Sequence, residues 1–314
     1  MAIPRTPEDK LAAMGFPGRL WSYSALHRWE ECPRAFFGRY IAGVPEVIGR
    51  PLVLGTLTHT LIALALAEPT PITDWRPLVT KARRRVDQAS LVERDADPQI
   101  VQWAQDALAA IPAGPERLVE TVWVLPLPAA SGPRPAPPRL QKPVADLVAG
   151  VRYARFRVED ALRQAGWDGI EARPDLVLIH RPSRRILIRD FKTSRARRPA
   201  DLVPRYRTQL ALYGAVARRQ FPGYTLVFDL HAFAADGIVR VPLEPADFDA
   251  TARWVFQRTQ AIKAAARAGP AAFPPTPSFA CRFCPLAALS PDDAAHCALG
   301  AAHAAARGWT SASA

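Results

Sequence analysis

Apolar residues along the chain recur at two different spacings. A helical spacing predicts helices over about 55–67, 204–220 and 245–268. Within segment 21–40 it predicts a short helix that is capped at Ser22 or Ser24 and leads into Cys32. Mixed charge and alanine predict exposed helices between 75 and 110. Compact apolar runs predict strands over 122–127 and 224–233, and a proline-rich loop is predicted over 128–147.

A β-hairpin is predicted from 174 to 192, which reads PDLVLIHRPSRRILIRDFK. If its turn is centred between Ser183 and Arg184, Asp175 lies directly across from Lys192. Because side chains alternate between the faces of a strand, Asp175, Asp190 and Lys192 then emerge on one face. Asp175 is expected to lie diagonal to Asp190, at about 7–8 Å between Cα atoms.

This hairpin face suggests a metal site. Two carboxylates at such a separation can share a hard divalent cation, which activates water and offsets the charge that builds on a phosphate during hydrolysis. A surface hairpin with an ordinary cross-strand pair between Asp175 and Lys192 is the alternative. Asp190 beside an Ile-Leu-Ile run favours the metal site, since an acid there is costly unless its charge is needed.

Charge and composition narrow the class of partner. The formal net charge is +12 and the isoelectric point is about 10.2, which favours a polyanionic partner such as DNA, although GC-rich coding bias gives arginine-rich chains as well. No apolar run reaches the roughly 18 residues of a membrane span, and no signal-peptide core follows the first residues. We therefore expect a cytoplasmic protein with no membrane contact.

Four cysteines, Cys32, Cys281, Cys284 and Cys297, form the remaining candidate site. In a chain without a secretory signal, a CxxC pair with two further cysteines indicates a metal or iron–sulfur site before it indicates disulfides. Structural zinc is the competing interpretation, with His296 as a possible substitute ligand, and unligated thiols are a third.

The order of these residues resembles the RecB-like branch of the PD-(D/E)XK nuclease superfamily. Pro174-Asp175 is followed by Asp190-Phe191-Lys192 and then by Gln209 and Tyr213, which lie four residues apart on one helix. The resemblance implies an α/β, restriction-endonuclease-like fold with a mixed central β-sheet flanked by helices. Its implied catalytic residues are Asp175, Asp190, Lys192, Gln209 and Tyr213, with Asp190 where many members have Glu.

The resemblance also implies the metal ligands. In the family a histidine in a Gly-xxx-His setting completes the metal site, and Gly55 and His59 match that spacing. His59, Asp175 and Asp190 are then expected to bind Mg²⁺ or Mn²⁺. Glu120 is a further acidic candidate, although a solvated strand end explains it equally well.

Some RecB-like nucleases, including the AddB nuclease domain and the exonucleases of CRISPR adaptation, hold a [4Fe-4S] cluster with one cysteine before the histidine motif and three after the catalytic core. The four cysteines here have that distribution. Such a cluster would tie segments 21–40 and 273–297 together within one domain, 1–297, followed by an alanine-rich tail, 298–314. The twelve residues between Cys284 and Cys297 exceed the short gap expected in the family.

These features predict a metal-dependent deoxyribonuclease, and by family analogy an exonuclease on single strands or DNA ends in repair, recombination or defence. The chain has no phosphate-binding loop of a helicase, so unwinding would come from a partner such as a helicase or a CRISPR integrase subunit. One alternative is a non-catalytic DNA-binding or scaffolding module. The other is a basic protein stabilised by a structural zinc ion, in which the hairpin resembles the nuclease motif by accident.

Overall fold

The computed structural model interleaves helices and strands, and it describes residues 6–15, 19–46, 48–68, 70–119, 123–127, 168–293 and 296–308. The helices are α1 (Pro7–Gly15), α2 (Tyr23–Glu31), α3 (Pro33–Phe37), α4 (Arg50–Leu66), α5 (Arg76–Arg85), α6 (Asp97–Ala109), α7 (Val203–Gln220), α8 (Pro245–Ala268), α9 (Pro285–Ala288) and α10 (Ala298–Ala305). The strands are β1 (Leu20–Ser22), β2 (Glu116–Val119), β3 (Trp123–Leu127), β4 (Asp168–Ala172), β5 (Leu176–His180), β6 (Arg185–Lys192), β7 (Thr225–Ala232) and β8 (Gly237–Arg240).

The strands form two mixed sheets, ordered β2-β5-β6-β7-β8 and β1-β4-β3. In the larger sheet β6 and β7 are parallel, because α7 carries the chain back between them, and the other pairs are antiparallel. In the smaller sheet β1 pairs with β4 in parallel and β3 pairs with β4 antiparallel. Mixed sheets flanked by helices confirm the predicted α/β architecture.

Both faces of the larger sheet are packed, because successive side chains of each strand point to opposite faces. Val177, Ile186 and Ile188 join a core with residues of α7 and α8. Leu178 and Phe191 join a second core with residues of α4, α5 and α6. The side chains of neighbouring residues at the end of β6 therefore point to opposite faces of the sheet.

The predicted hairpin forms, but its register differs from the prediction. His180 pairs with Arg185, so the turn is centred between Pro182 and Ser183, one residue earlier than predicted. Arg184 closes the turn with a left-handed backbone (φ 49°), and its N–H donates to the Arg181 carbonyl oxygen at 3.1 Å. A left-handed residue at that position is typical of a four-residue loop. The apolar pattern alone does not distinguish a four-residue loop from a two-residue loop.

As a result, each residue of β5 pairs with a residue of β6 that lies two positions earlier than predicted. Leu176 pairs with Arg189, and continuing this register by one residue sets Asp175 opposite Asp190. The prediction that Asp175 faces Lys192 and lies diagonal to Asp190 was therefore wrong. Since a shift of two preserves the alternation of faces, Asp175, Asp190 and Lys192 still share one face of the hairpin.

Several elements differ from the predictions elsewhere. Segment 21–40 divides into β1, α2 and α3, with the cap confirmed at Ser22, whose hydroxyl oxygen accepts from the Ala25 N–H at 3.3 Å. The short strands β1, β2, β4 and β8 were not predicted. Helix α10 occupies the start of the predicted alanine-rich tail. Glu120 and the predicted proline-rich loop lie outside the described residues.

None of the helices in the described part of the chain is long and apolar enough to cross a membrane.

A buried ion pair joins α8 to β4. The Lys263 ammonium contacts the Asp168 carboxylate, with the two residues 4% and 6% exposed, and the Arg19 N–H donates to the other Asp168 oxygen at 3.1 Å. We expect Lys263→Met to lower the free energy of unfolding by about 3 kcal/mol, because it removes the buried ammonium group that contacts the Asp168 carboxylate. Urea denaturation measures this loss. The double variant Asp168→Asn/Lys263→Met should recover most of it, and an equal loss in both proteins would contradict the assignment.

Candidate active site

Residues from four elements meet where β5 begins and β6 ends. Asp175 directly precedes β5, Asp190 and Lys192 lie at the end of β6, α4 supplies His59, and α7 supplies Gln209 and Tyr213. The structure thus brings together all six residues that the sequence predicted for the metal and catalytic site.

Asp175 is fixed through both of its carboxylate oxygens. Oδ1 lies 3.1 Å from His59 Nδ1, and Oδ2 accepts from the Phe191 N–H at 2.7 Å. Burial works to raise the pKa of Asp175, but His59, Lys192 and the Phe191 N–H outweigh it, and the pKa is lowered. Burial likewise works to lower the pKa of His59, and Asp175 outweighs it and raises the pKa. The two groups therefore stabilise each other's charged forms.

Asp190 is 1% exposed and sits between a cation and a phenol. Its Oδ2 contacts the Lys192 ammonium, and its Oδ1 lies 3.3 Å from the Tyr213 hydroxyl. Apart from Lys192, Oδ2 meets no hydrogen-bond donor within the described residues. Burial raises the pKa of Asp190 despite the opposing charge of Lys192, and the neighbouring Asp175 raises it further. Burial works to lower the pKa of Lys192, but the two carboxylates outweigh it and raise that pKa.

Gln209 and Tyr213 lie behind Asp190. The Gln209 amide donates to the Tyr213 hydroxyl oxygen at 2.6 Å, and that hydroxyl can donate either to the Arg173 carbonyl oxygen at 3.0 Å or to Asp190. Burial raises the pKa of Tyr213 well above its ordinary value, so the phenol stays a neutral donor. This pair holds the Asp190 carboxylate in place.

Tyr206 also belongs to the site and was missed from the sequence. The Lys192 ammonium lies 4.4 Å from the centroid of the Tyr206 ring, within range of a cation–π interaction, and the Tyr206 hydroxyl lies 3.0 Å from Ser194 Oγ. Tyr206 precedes Gln209 by three residues and Tyr213 by seven. Its place on the same face of α7 is the signal that could have identified it.

The close approach of α4 explains the glycine of the Gly-xxx-His spacing. A Cβ atom added at Gly55 would lie 3.0 Å from Thr193 Oγ1, immediately after Lys192 in the chain. A glycine at this point lets the helix approach the end of β6, and one turn later His59 reaches Asp175.

The donor set suits a hard divalent ion. Two carboxylates favour Mg²⁺ or Mn²⁺, an imidazole adds a ligand that Mn²⁺ accepts more readily, and Asp190 Oδ2 is a buried acceptor without a full set of donors. As placed, however, Asp175 is paired with His59 and Asp190 with Lys192. Across the described residues, no group of three or more His, Cys, Asp or Glu side chains converges closely enough to hold a single metal ion.

The four cysteines line one cavity, and none forms a disulfide. Backbone N–H groups donate to their sulfur atoms: Thr276 to Cys32 at 3.3 Å, Ser278 to Cys281 at 3.4 Å, and Gly300 to Cys297 at 3.3 Å. Twelve residues separate Cys284 from Cys297 in the chain, yet both line this cavity. The Cys297 N–H donates to the Leu286 carbonyl oxygen at 2.9 Å, which holds Cys297 close to Cys284. Burial raises the pKa of Cys284 and of Cys297.

The two ends of the chain also meet around this cavity through direct contacts. The Arg34 N–H donates to the Pro274 carbonyl oxygen at 3.2 Å, and the Phe273 ring packs against Phe36 and Phe37. His296 does not belong to the described lining of the cavity, and its Nδ1 lies 2.9 Å from the Leu289 carbonyl oxygen. His296 therefore lies beside the cavity, outside its described lining.

The family model of the PD-(D/E)XK nuclease superfamily matches residues 20–289. This range contains His59, the hairpin and α7, whereas Cys297 lies beyond it. The mixed sheets and flanking helices are consistent with the restriction-endonuclease-like fold of that superfamily. A search of curated proteins found no match.

Proposed function

Because the chain belongs to the PD-(D/E)XK nuclease superfamily, whose members are typically nucleases that use divalent metals such as Mg²⁺ or Mn²⁺, we propose that it hydrolyses DNA phosphodiester bonds at Asp175, Asp190 and Lys192. The observation that carries this proposal is the placement of these three residues on one hairpin face, in contact with His59 and Tyr213. An accidental sequence match gives no reason for five such residues to meet.

Each residue has a distinct task in this proposal. When bound, a divalent ion held by Asp175, Asp190 and His59 would lower the pKa of a water molecule and offset charge on the scissile phosphate. Lys192, whose ammonium contacts Asp190 and faces the ring of Tyr206, would stabilise the negative charge that develops on the phosphate. Tyr213 and Gln209 keep Asp190 oriented.

Exposed arginines beside the site support DNA as the substrate. Arg195 and Arg197 are exposed in the segment that follows β6, and the exposed Arg205 of α7 packs against the Tyr206 ring that Lys192 also faces. Together with the net charge of +12, they provide the positive surface that a phosphate backbone requires. By the resemblance to the RecB-like branch, we propose an exonuclease that acts on single strands or DNA ends.

A comparison of linear and circular DNA tests the exonuclease assignment. With Mn²⁺ or Mg²⁺, we expect a linear single strand to be degraded to short products while a closed circle of the same sequence stays intact, because only the linear strand has ends. The circle, cut once with a restriction enzyme at a site made double-stranded by an annealed oligonucleotide, serves as the matched control. Equal cleavage of the circle would show endonuclease activity and overturn this part of the proposal while leaving phosphodiester hydrolysis in place.

For the four cysteines we propose a [4Fe-4S] cluster as the cofactor. A structural zinc ion with four thiolate ligands is the alternative. All four cysteines line one cavity, which either group would occupy, and the resemblance to the RecB-like branch is the reason for preferring the cluster. A four-iron cluster spreads its thiolates over a wider volume, and backbone N–H groups stabilise them. Such a cluster would tie segments 21–40 and 273–297 together.

The setting of this activity rests on the resemblance and on composition. A role in DNA repair, recombination or defence, a helicase or CRISPR integrase partner, and a cytoplasmic location all stay predictions.

A further inference from the structure

Arg189 is a charged residue in an apolar strand that the proposed function does not use. Asp190 points toward the candidate active site, so its neighbour Arg189 points to the opposite face of the sheet. Arg189 is 5% exposed, and its guanidinium lies 3.3 Å from Asp229 Oδ2 and donates to the Ala110 carbonyl oxygen at 3.0 Å. Its Nε has no hydrogen-bond partner among the described residues.

The charge around Arg189 is unbalanced. Asp229, which pairs with Arg189 across β6 and β7, also accepts from Arg240 Nε at 2.6 Å. One buried carboxylate therefore faces two guanidinium groups. Arg189 is the buried cation of this group, whereas the Arg240 side chain is 55% exposed and presents its guanidinium at the surface while it contacts Asp229.

These residues line a cavity of about 510 Å³ on that face. Its lining includes Arg185, Arg189, Arg240 and Asp229, together with Leu187, which lies between Arg185 and Arg189 on β6, and its cross-strand partner Leu178. Arg185 is exposed, and within the described part of the chain its side chain forms no ion pair. With three guanidinium groups and one carboxylate, this lining carries a net charge of +2.

The combination defines a class of ligand. Arginines in this number favour a phosphate, since a guanidinium binds two phosphate oxygens at once. The volume falls within the roughly 300–1,000 Å³ of small-molecule sites and exceeds what an inorganic anion needs, and the leucines offer an apolar wall for a base or sugar. We propose that this cavity binds a nucleoside 5′-phosphate, either as a free nucleotide or as the terminal nucleotide of a strand.

The cavity is separate from the candidate active site. Arg185 lies seven residues before Lys192 on β6, or about 23 Å along the strand, and Arg189 points to the other face of the sheet. Variants of the cavity and variants of the active site can therefore be tested independently.

Titration calorimetry without divalent metal tests the proposal. The probes are deoxyadenosine 5′-monophosphate, deoxyadenosine, inorganic phosphate, and a ten-nucleotide strand with or without a 5′-phosphate. We expect saturable 1:1 binding of the nucleotide or of the phosphorylated strand, at least tenfold weaker binding in Arg185→Ala, and partial recovery in Arg185→Lys. Arg94→Ala, which removes an exposed arginine elsewhere, should bind like the parent.

The two ligand sources give different outcomes, and each supports the proposal. Tighter binding of the monophosphate identifies a free nucleotide as the ligand, and tighter binding of the phosphorylated strand identifies a strand end. Three outcomes would overturn it: no saturable binding of either phosphorylated probe at a few millimolar, equal affinity for inorganic phosphate and the nucleotide, or unchanged binding in a folded Arg185→Ala protein.

Discussion

Replacing Asp190 with asparagine is expected to reduce metal-dependent DNA cleavage by about a thousandfold or more. Asparagine keeps the shape of the side chain and the acceptor that faces the Tyr213 hydroxyl, but it removes the negative charge that a divalent ion and Lys192 both require. Because the loss concerns the chemical step, kcat should fall far more than the affinity for DNA. Cleavage of a labelled strand under single-turnover conditions measures it.

Asp249→Asn is the matched control for this prediction. It makes the same chemical change at an exposed aspartate of α8 that is paired with Arg218, away from the hairpin. We expect parental activity in this variant, and both variants should retain the parent's circular dichroism spectrum. Activity of Asp190→Asn within tenfold of the parent would mean that this carboxylate does not support hydrolysis.

Replacing Cys281 with serine is expected to cause the largest change in stability. Serine preserves the size of the side chain but is a poor ligand for iron, so the purified variant should lose its iron, its inorganic sulfide and its visible absorption. If the cluster ties the two ends of the chain, its loss should lower the free energy of unfolding by about 5 kcal/mol or more. Iron and sulfide analysis after anaerobic purification, followed by thermal unfolding, measures both effects.

His296→Ala tests in the same experiment whether this histidine is a ligand. His296 precedes Cys297 but lies outside the described lining of the cavity, so its loss should leave the iron content unchanged. A colourless parent protein that holds one zinc ion would refute the cluster. A parent protein without metal whose stability matches that of Cys281→Ser would show that the contacts of Phe273 and Arg34 suffice to hold the ends together.

Long periodic elements were predictable from the sequence because their own residues determine them. Helix α8 was predicted with the bounds that the structure shows, and α7 to within one residue. Strand β4 was not predicted because its buried residues include Asp168 and Glu171, which break any apolar pattern. Asp168 is stabilised in this buried position by Lys263, which lies 95 residues later in the chain. Local spacing carries no information about such a distant partner.

The candidate site was predictable in composition but not in geometry. The motif spacing selected Asp175, Asp190 and Lys192, and the alternation of faces correctly placed them together. The register was wrong because it depends on the left-handed backbone at Arg184, which is not a glycine and gives no sequence signal. Tyr206 was missed because its role arises from the ring contact with Lys192 rather than from a motif.

The most direct test of the central claim is a side-by-side assay of the parent protein, Lys192→Ala and Lys81→Ala on linear single-stranded DNA with Mn²⁺. Lys81 is an exposed lysine of α5, so its replacement removes the same charge without touching the hairpin. We predict that the parent and Lys81→Ala degrade the DNA at equal rates, that both stop when the metal is chelated, and that Lys192→Ala leaves the DNA intact. Equal degradation by Lys192→Ala, or none by the parent protein, would contradict the claim that this hairpin hydrolyses DNA.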